Sequence, residues 1–514
     1  MKYPIGIQDF KKIRCENYVY IDKTDFVYKL ATEGSYYFLS RPRRFGKSLL
    51  LSTFESYFSG RKELFDGLAI SSLEQDWTEY PILHIDLNSE KYDSPEALYN
   101  ILDRNLHDWE DIYHPSRIEN SLSGRFDRII RTAYEHTGKQ VVILIDEYDK
   151  PLLQSIGNDA LQDDYRGTLK AFYGVLKSCD RYIRFAFLTG VTKFGKVSVF
   201  SDLNNLKDIS MLPAYSTICG ITSDELRNVF AEEISTLARN NGSSDDECYR
   251  QLQEYYDGYH FYPDSPDIYN PFSLLNTLDN GVFGDYWFET GTPSFLVELL
   301  KKSKYLLDNI SNEKLYADQL NSINSIDNSP LPVLYQSGYL TLKDYNKEFG
   351  VYCLDYPNKE VREGFIKYLI PYYVPKTKDG SPFYVGNFVE DIRSGNVSGF
   401  MERLEALFAD NNYQIIGDAE LYFQNATYVI FKMLGFYVDV ERHTSDGRID
   451  ILMKTADYIY IFELKIDQSA TIALRQIESK EYSLPYQVDK QKIIKVGVNF
   501  STKSRRIDDW KVEE

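Results

Sequence analysis

The 514-residue sequence predicts an α/β protein in two modules: a parallel sheet with a helical lid, and a smaller α/β unit at the C-terminal end. Three observations carry this prediction. Short apolar runs alternate with helical patterns up to about residue 215, which is how parallel βαβ units read. Helical periodicity replaces that alternation after Gly220, and closely spaced strands return after residue 397.

In chain order, SYYFLS, YPILHIDL, QVVILIDE and YIRFAFLTG are the strands of a first domain, 1–215. Their unbroken apolar character suits a sheet covered on both faces. Thr222-Ser223-Asp224-Glu225 is a helix-start signal ahead of RNVFAEEISTLARN, and 216–316 is assigned as the lid. Its aromatics Tyr255, Tyr256, Tyr259, Phe261, Trp287 and Phe288 are expected in its core, with His260 structural. A connecting region, 317–396, contains LPVLYQSGYLTL and EFGVYCLDYP as short strands, VREGFIKYLIPYY as a helix and the polar linker TKDGSP. The last domain, 397–514, has helices in VSGFMERLEALFAD and AELYFQNATYVIFKMLGF. Strands follow in FYVDVERHT, RIDILMKT and YIYIFELKI, then the helix IALRQIESKEY and a final strand IIKVGVNF.

Composition narrows the function classes. A hydrophobic share of 43% is enough to bury a core. No apolar run reaches the ~18 residues of a membrane span, and MKYPIGIQDFKK has no secretory pattern, so a soluble, cytoplasmic protein is expected. The five cysteines form no CxxC pair and read as reduced, buried residues. A net charge of −19 argues against nonspecific coating of nucleic acid. Residues 441–514 balance thirteen Lys and Arg against thirteen Asp and Glu, so that end of the chain admits a local nucleic-acid contact.

SYYFLSRPRRFGKSLLLSTFESYF reads as a strand, a basic loop and a helix whose first turn holds Gly46, Lys47 and Ser48. A helix N-terminus attracts phosphate, a lysine supplies a point charge to it, and a hydroxyl ligates Mg²⁺, so this is a P-loop NTPase pattern for ATP. Arg41 stands where the usual pattern has its first glycine. Arg43 and Arg44 either add to phosphate neutralisation or are solvated loop residues. About a hundred residues on, the strand 141–145 ends in Asp146 and Glu147, suited to holding the Mg²⁺ shell and polarising an attacking water. A third strand ends at Thr189, a polar group placed to sense the γ-phosphate.

In the last domain, Asp450 opens one strand and Glu463-Leu464-Lys465 closes the next. Glu463 and Lys465 share a strand face, and a hairpin brings Asp450 beside them. Asp450 and Glu463 are then oxygen ligands for Mg²⁺, and Lys465 stabilises developing charge, the needs of phosphodiester hydrolysis. Alternating acid and base also describes a solvated strand face, but IYIFELKI is otherwise apolar. Glu420, on the preceding helix, is a candidate further metal ligand.

RPRRFGKSL, IDEYDKP, TGVTKFGKVSVFSDLNNL, YDGYHF, YNPFSLLN and YWFETGTP together resemble the bacterial AAA-ATPase-like family whose members carry a C-terminal PD-(D/E)xK nuclease-superfamily domain. The resemblance implies a restriction-endonuclease-like fold for the last domain, with Gln476 as its helical glutamine after GRI and the D-x12-ExK spacing. It also implies that arginine at position 41 is usual and that Asp22-Lys23-Thr24 lies near the nucleotide. The expected function is an ATPase coupled to a Mg²⁺-dependent nuclease. Its partners are ATP, a nucleic acid and further copies of the chain, not a membrane. The competing reading is an ATP-switched binding protein whose last domain recognises a partner without cutting it.

Overall fold

The computed structural model describes residues 1–117, 119–193, 199–200, 203–289, 296, 299–300, 303–310, 314–321, 329–373, 384–409, 419–442 and 450–514. TKDGSP and GRI lie outside these residues, as do parts of the 189–206 and 286–293 motifs. The chain divides into two compact units, Met1–Leu299 with Ser311–Arg362, and Leu300–Ile310 with Glu363–Glu514.

The first unit is built on five strands, β1 (Tyr36–Ser40), β2 (Ile82–Asp86), β3 (Val141–Asp146), β4 (Ile183–Gly190) and β5 (Lys207–Asp208). They pair in the order β2-β3-β4-β1-β5, every neighbour parallel. Every residue of β1 and β3 is buried, as their unbroken apolar runs predict. The helix Lys47–Phe58 lays Phe54 and Phe58 on Phe185 of β4, each ring pair 5.0 Å apart. Parallel pairing sends all the strand C-termini to one edge. Along that edge Ser40 stands opposite Gly190, Leu39 opposite Thr189, and Asp86 opposite Asp146.

The same unit contains β6 (Ile221–Thr222) paired antiparallel with β7 (Ile268–Tyr269). The helix Ser223–Asn240 starts on a capping box in which Thr222 and Glu225 satisfy each other's backbone N–H. Its inner face, with Leu226, Phe230 and Ile234, packs on Leu252 and Tyr256 of the helix Asp245–Tyr256 and on Leu274 of the helix Pro271–Asn280. A three-stranded antiparallel sheet follows, β8 (Lys314–Tyr316), β9 (Thr341–Asn346) and β10 (Val351–Asp355), in the order β8-β10-β9. The expected strand in EFGVYCLDYP is β10, whereas that in LPVLYQSGYLTL is corrected here. Its first half is the helix Leu331–Ser337, with proline in the first turn and Gly338 closing it at φ +91°, and only the second half enters β9.

The second unit has the helices Val385–Ser394, Val397–Ala409 and Ala419–Leu434. Its sheet contains β11 (Asp439–Arg442), β12 (Ile451–Lys454), β13 (Tyr458–Ile466), β14 (Lys492–Ser501) and β15 (Arg506–Glu513), paired in sequence order. Only β13 and β14 are parallel, and the helix Ala470–Ser479 connects them. The strand 492–501 is therefore not the last, as expected from sequence, because β15 pairs antiparallel along it. No described helix is long and apolar enough to cross a membrane.

Gly497 of β14 permits the close approach of that connecting helix. A Cβ at 497 would stand 2.4 Å from the Ala470 carbonyl oxygen. Gly497→Ala should therefore destabilise the second unit by about 1–3 kcal/mol, read by calorimetry as a lowered unfolding transition of the full chain.

Candidate functional site

β1 ends in the loop 41–46, and the helix that follows begins at Lys47 with Gly46 as its N-cap. Gly46 has room for a side chain, so its φ of +94° is the reason for glycine there. Lys47 is only 4% exposed. Its Nζ donates to the carbonyl oxygens of Arg41 at 3.1 Å and Pro42 at 3.2 Å and stands 3.9 Å from Glu147 Oε1. The ammonium thus curls onto its own loop and faces the end of β3.

At that end, Asp146 Oδ1 accepts from Thr189 Oγ1 at 2.5 Å and from the Glu147 amide at 3.0 Å. Glu147 takes a φ of +56°, a left-handed conformation that a non-glycine residue adopts at a cost. Burial pushes its carboxyl pKa up, with Lys47 opposing the shift. Asp149 is buried and accepts from the amides of Val191 and Thr192, at 3.1 and 2.6 Å, and from Thr192 Oγ1 at 2.7 Å. It thereby clamps the chain leaving β4. Gly190 leaves it space, since a Cβ there would lie 2.6 Å from Asp149 Oδ1.

Lys47 and Glu147 border a cavity of about 440 Å³. Arg43, Arg44, Gly46 and Ser48 line it too, together with Phe272, Trp287, Phe288, Tyr339 and residues 4–8. The structure thus brings Gly46, Lys47, Ser48 and Glu147 to one cavity, while Asp146 and Thr189, hydrogen-bonded to each other at the strand ends, are outside its lining. Arg43 takes Trp287 Nε1 on its carbonyl at 3.2 Å, and the Arg44 guanidinium stands 4.8 Å from the Phe272 ring centre.

Trp287 is buried, as the sequence led us to expect, and it also lines the cavity beside the half-buried Phe288; residues 4–8 carried no such expectation. The cue was indirect, because a phosphate loop needs an apolar wall for the rest of its ligand. Asp22-Lys23-Thr24 is not part of the cavity lining. Lys23 pairs with Glu225 at 2.5 Å, and Asp22 accepts from the Thr24 and Ala69 amides.

In the second unit the β12–β13 register pairs Ile451 with Phe462. Asp450, one residue earlier, falls beside Glu463, and its Oδ2 accepts from the Leu464 amide at 2.8 Å. Lys465 Nζ bridges Glu463 Oε1 and Gln476 Oε1, both at 2.8 Å. The four side chains named from sequence therefore converge through two strands and the helix Ala470–Ser479. Glu463 is 1% exposed, and its Oε2 has no hydrogen-bond partner among the described residues. Burial, reinforced by Asp450 and opposed by Lys465, pushes its pKa up to about 7. A buried carboxylate with an open oxygen beside a second carboxylate is a donor set that fits a divalent cation. Glu420 is exposed at the start of its helix and accepts from Gln424 at 3.4 Å. No group of three or more His, Cys, Asp or Glu is placed to hold a metal among the described residues, so Glu420 does not complete a triad there.

Comparison with known proteins agrees with this division. A family model described as "Predicted AAA-ATPase" matches residues 4–200, starting where the cavity lining starts, and one for the PD-(D/E)XK nuclease superfamily matches residues 418–510. The chain is 35% identical over 526 residues to "Uncharacterized protein in vnfD 5'region" of Azotobacter chroococcum mcd 1, covering 100% of this chain and 99% of that one. Among solved structures it matches the Aeropyrum pernix ORC2 protein, described in ADPNP-ADP complexes. That match has 12% identity, covers 68% of this chain and 93% of that chain, and has a TM-score of 0.25, too low to carry an argument.

Removing the clamp at the end of β4 leaves the Val191 and Thr192 amides without their acceptor. Asp149→Ala should cost about 1–3 kcal/mol of stability, measured by chemical denaturation of the full chain.

Proposed function

This chain belongs to the family of predicted AAA-ATPases that carry a PD-(D/E)XK nuclease-superfamily domain, and on that premise we propose that it is an ATP-dependent nuclease. MgATP binds at residues 46–48 and 146–147, and the Asp450, Glu463 and Lys465 group cuts nucleic acid. The observation that carries the reading is the meeting of Lys47, Ser48 and Glu147 in the lining of one cavity, with Asp146 beside Glu147 at the end of a parallel strand.

The roles follow from position. The helix N-terminus at Gly46 and the Lys47 ammonium attract phosphate oxygens. Arg43 and Arg44 add positive charge to the same cavity lining, and the aromatic Trp287 and Tyr339 take the base. Glu147, whose pKa burial has raised, is the group to take a proton from an attacking water. Thr189 holds Asp146 in orientation for the metal shell.

Ser48 and Asp146 would hold one divalent cation, and Asp450 and Glu463 another, each ion supplying charge neutralisation and Lewis acidity when bound. Lys465 is held between Glu463 and Gln476, so that its ammonium stays at the carboxylates instead of sweeping solvent. There it can offset charge developing on a phosphate. With a net charge of −19, nucleic acid must be met locally, and the charge-balanced stretch 441–514 admits that contact.

Nucleotide binding and turnover separate in two variants. Lys47→Ala should abolish MgATP binding, whereas Glu147→Gln should keep binding and lose turnover by about a hundredfold, measured by titration and phosphate release. DNA or RNA, linear or circular, should be cut by wild-type protein with Mg²⁺ or Mn²⁺ and ATP, and left intact by Asp450→Ala in gel assays. Binding without cutting by the wild type would instead make the second unit a recognition module.

A further inference from the structure

Arg41 takes the place of the first glycine of the usual phosphate loop, yet the structure does not use it as a turn. The left-handed positions of the loop are Arg44, at φ +67°, and Gly46, at φ +94°. Arg41 is instead 1% exposed, with its side chain spread over main-chain oxygens. Its guanidinium donates to Ser40 O at 2.9 Å, Ser210 O at 2.7 Å and Tyr215 O at 2.9 Å, and it stands 4.0 Å from the centre of the Phe261 ring. All three acceptors are neutral carbonyls, and Nε has no hydrogen-bond partner among the described residues. Burying a guanidinium is costly, and these hydrogen bonds to main-chain oxygens offset that cost only by holding the carbonyls in place around it.

What they fix is the backbone that holds Lys47. The Arg41 amide donates to Gly190 O at 3.2 Å, and the Arg41 carbonyl accepts from Lys47 Nζ at 3.1 Å. The rest of the loop is gripped from the same later part of the chain. Phe45 packs edge-on to Tyr259 and Phe261, with ring centres 4.8 and 5.6 Å away. Gly338 lies so close to Pro42 that a Cβ there would be 2.6 Å from the proline Cβ.

We propose that Arg41 is a positioning residue of the nucleotide site: its guanidinium, seated on the carbonyls of Ser40, Ser210 and Tyr215 and against Phe261, sets the main-chain carbonyl that holds Lys47. The direction of Lys47 then depends on residues 210–215 and on Phe261, well outside the loop itself. Restoring the usual glycine weakens this site, because glycine keeps none of the contacts and adds backbone freedom where no left-handed turn is required. The proposal rests on the reading of residues 41–48 as a nucleotide site.

The test is affinity for a fluorescent ATP analogue, measured on the full chain beside the melting temperature without nucleotide. Wild type should bind and Lys47→Ala should not. Arg41→Gly should bind at least about tenfold more weakly, with Arg41→Lys in between. Phe261→Leu, which keeps apolar volume and removes only the ring face, should weaken binding about threefold or more while its melting temperature stays near wild type. Arg41→Gly that is folded and binds like wild type overturns the proposal. If Arg41→Gly fails to fold, unchanged affinity in Phe261→Leu overturns it instead. A folded wild type that binds no nucleotide removes the site reading itself and this proposal with it.

Discussion

The parallel pairing of β1, β3 and β4 is the constraint on which the proposed nucleotide site depends. Parallel strands deliver all their C-terminal ends to one edge, so the loop after β1, the acids after β3 and the segment after β4 have to meet there. Had β1 run antiparallel, Lys47 and Glu147 would lie at opposite edges and no local choice of residues could join them. The helix Lys47–Phe58 adds its N-terminus at that same edge, held against β4 by Phe54 and Phe58.

The second unit reaches a charged cluster by a different route. There a hairpin register sets Asp450 beside Glu463 within an apolar strand, and the helix connecting β13 to β14 brings Gln476 onto Lys465. Both clusters hold carboxyl groups whose pKa burial has raised, Glu147 in one and Glu463 in the other. Such groups are costly to bury. In each cluster a lysine stands by the acid, Lys47 near Glu147 and Lys465 on Glu463, which limits that cost.

Much of this was legible in the sequence because the signals are local. Unbroken apolar runs gave β1 to β4, Thr222 and Glu225 announced their capping box, and the strand period placed Glu463 and Lys465 on one face. The residues of both clusters were nameable for the same reason. What was not legible depends on distant partners. Arg41 looked like a departure from a pattern because its acceptors lie about 170 positions away in Ser210 and Tyr215. Trp287 and Phe288 have the composition of a core, and only the fold turns them toward the cavity. The helix Leu331–Ser337 was mistaken for a strand although proline in its first turn and Gly338 after its end announced it. β15 escaped notice because an edge strand with few apolar residues lacks a hydrophobic run.

The most direct test of the account is an experimental structure of the full chain with Mg²⁺ and a non-hydrolysable ATP analogue. The account predicts the triphosphate at the N-terminus of the helix Lys47–Phe58, with Lys47 Nζ keeping its bond to the Arg41 carbonyl while donating to phosphate oxygens, and the base against Trp287 and Tyr339. A nucleotide bound elsewhere, or an empty cavity at saturating analogue, would contradict it.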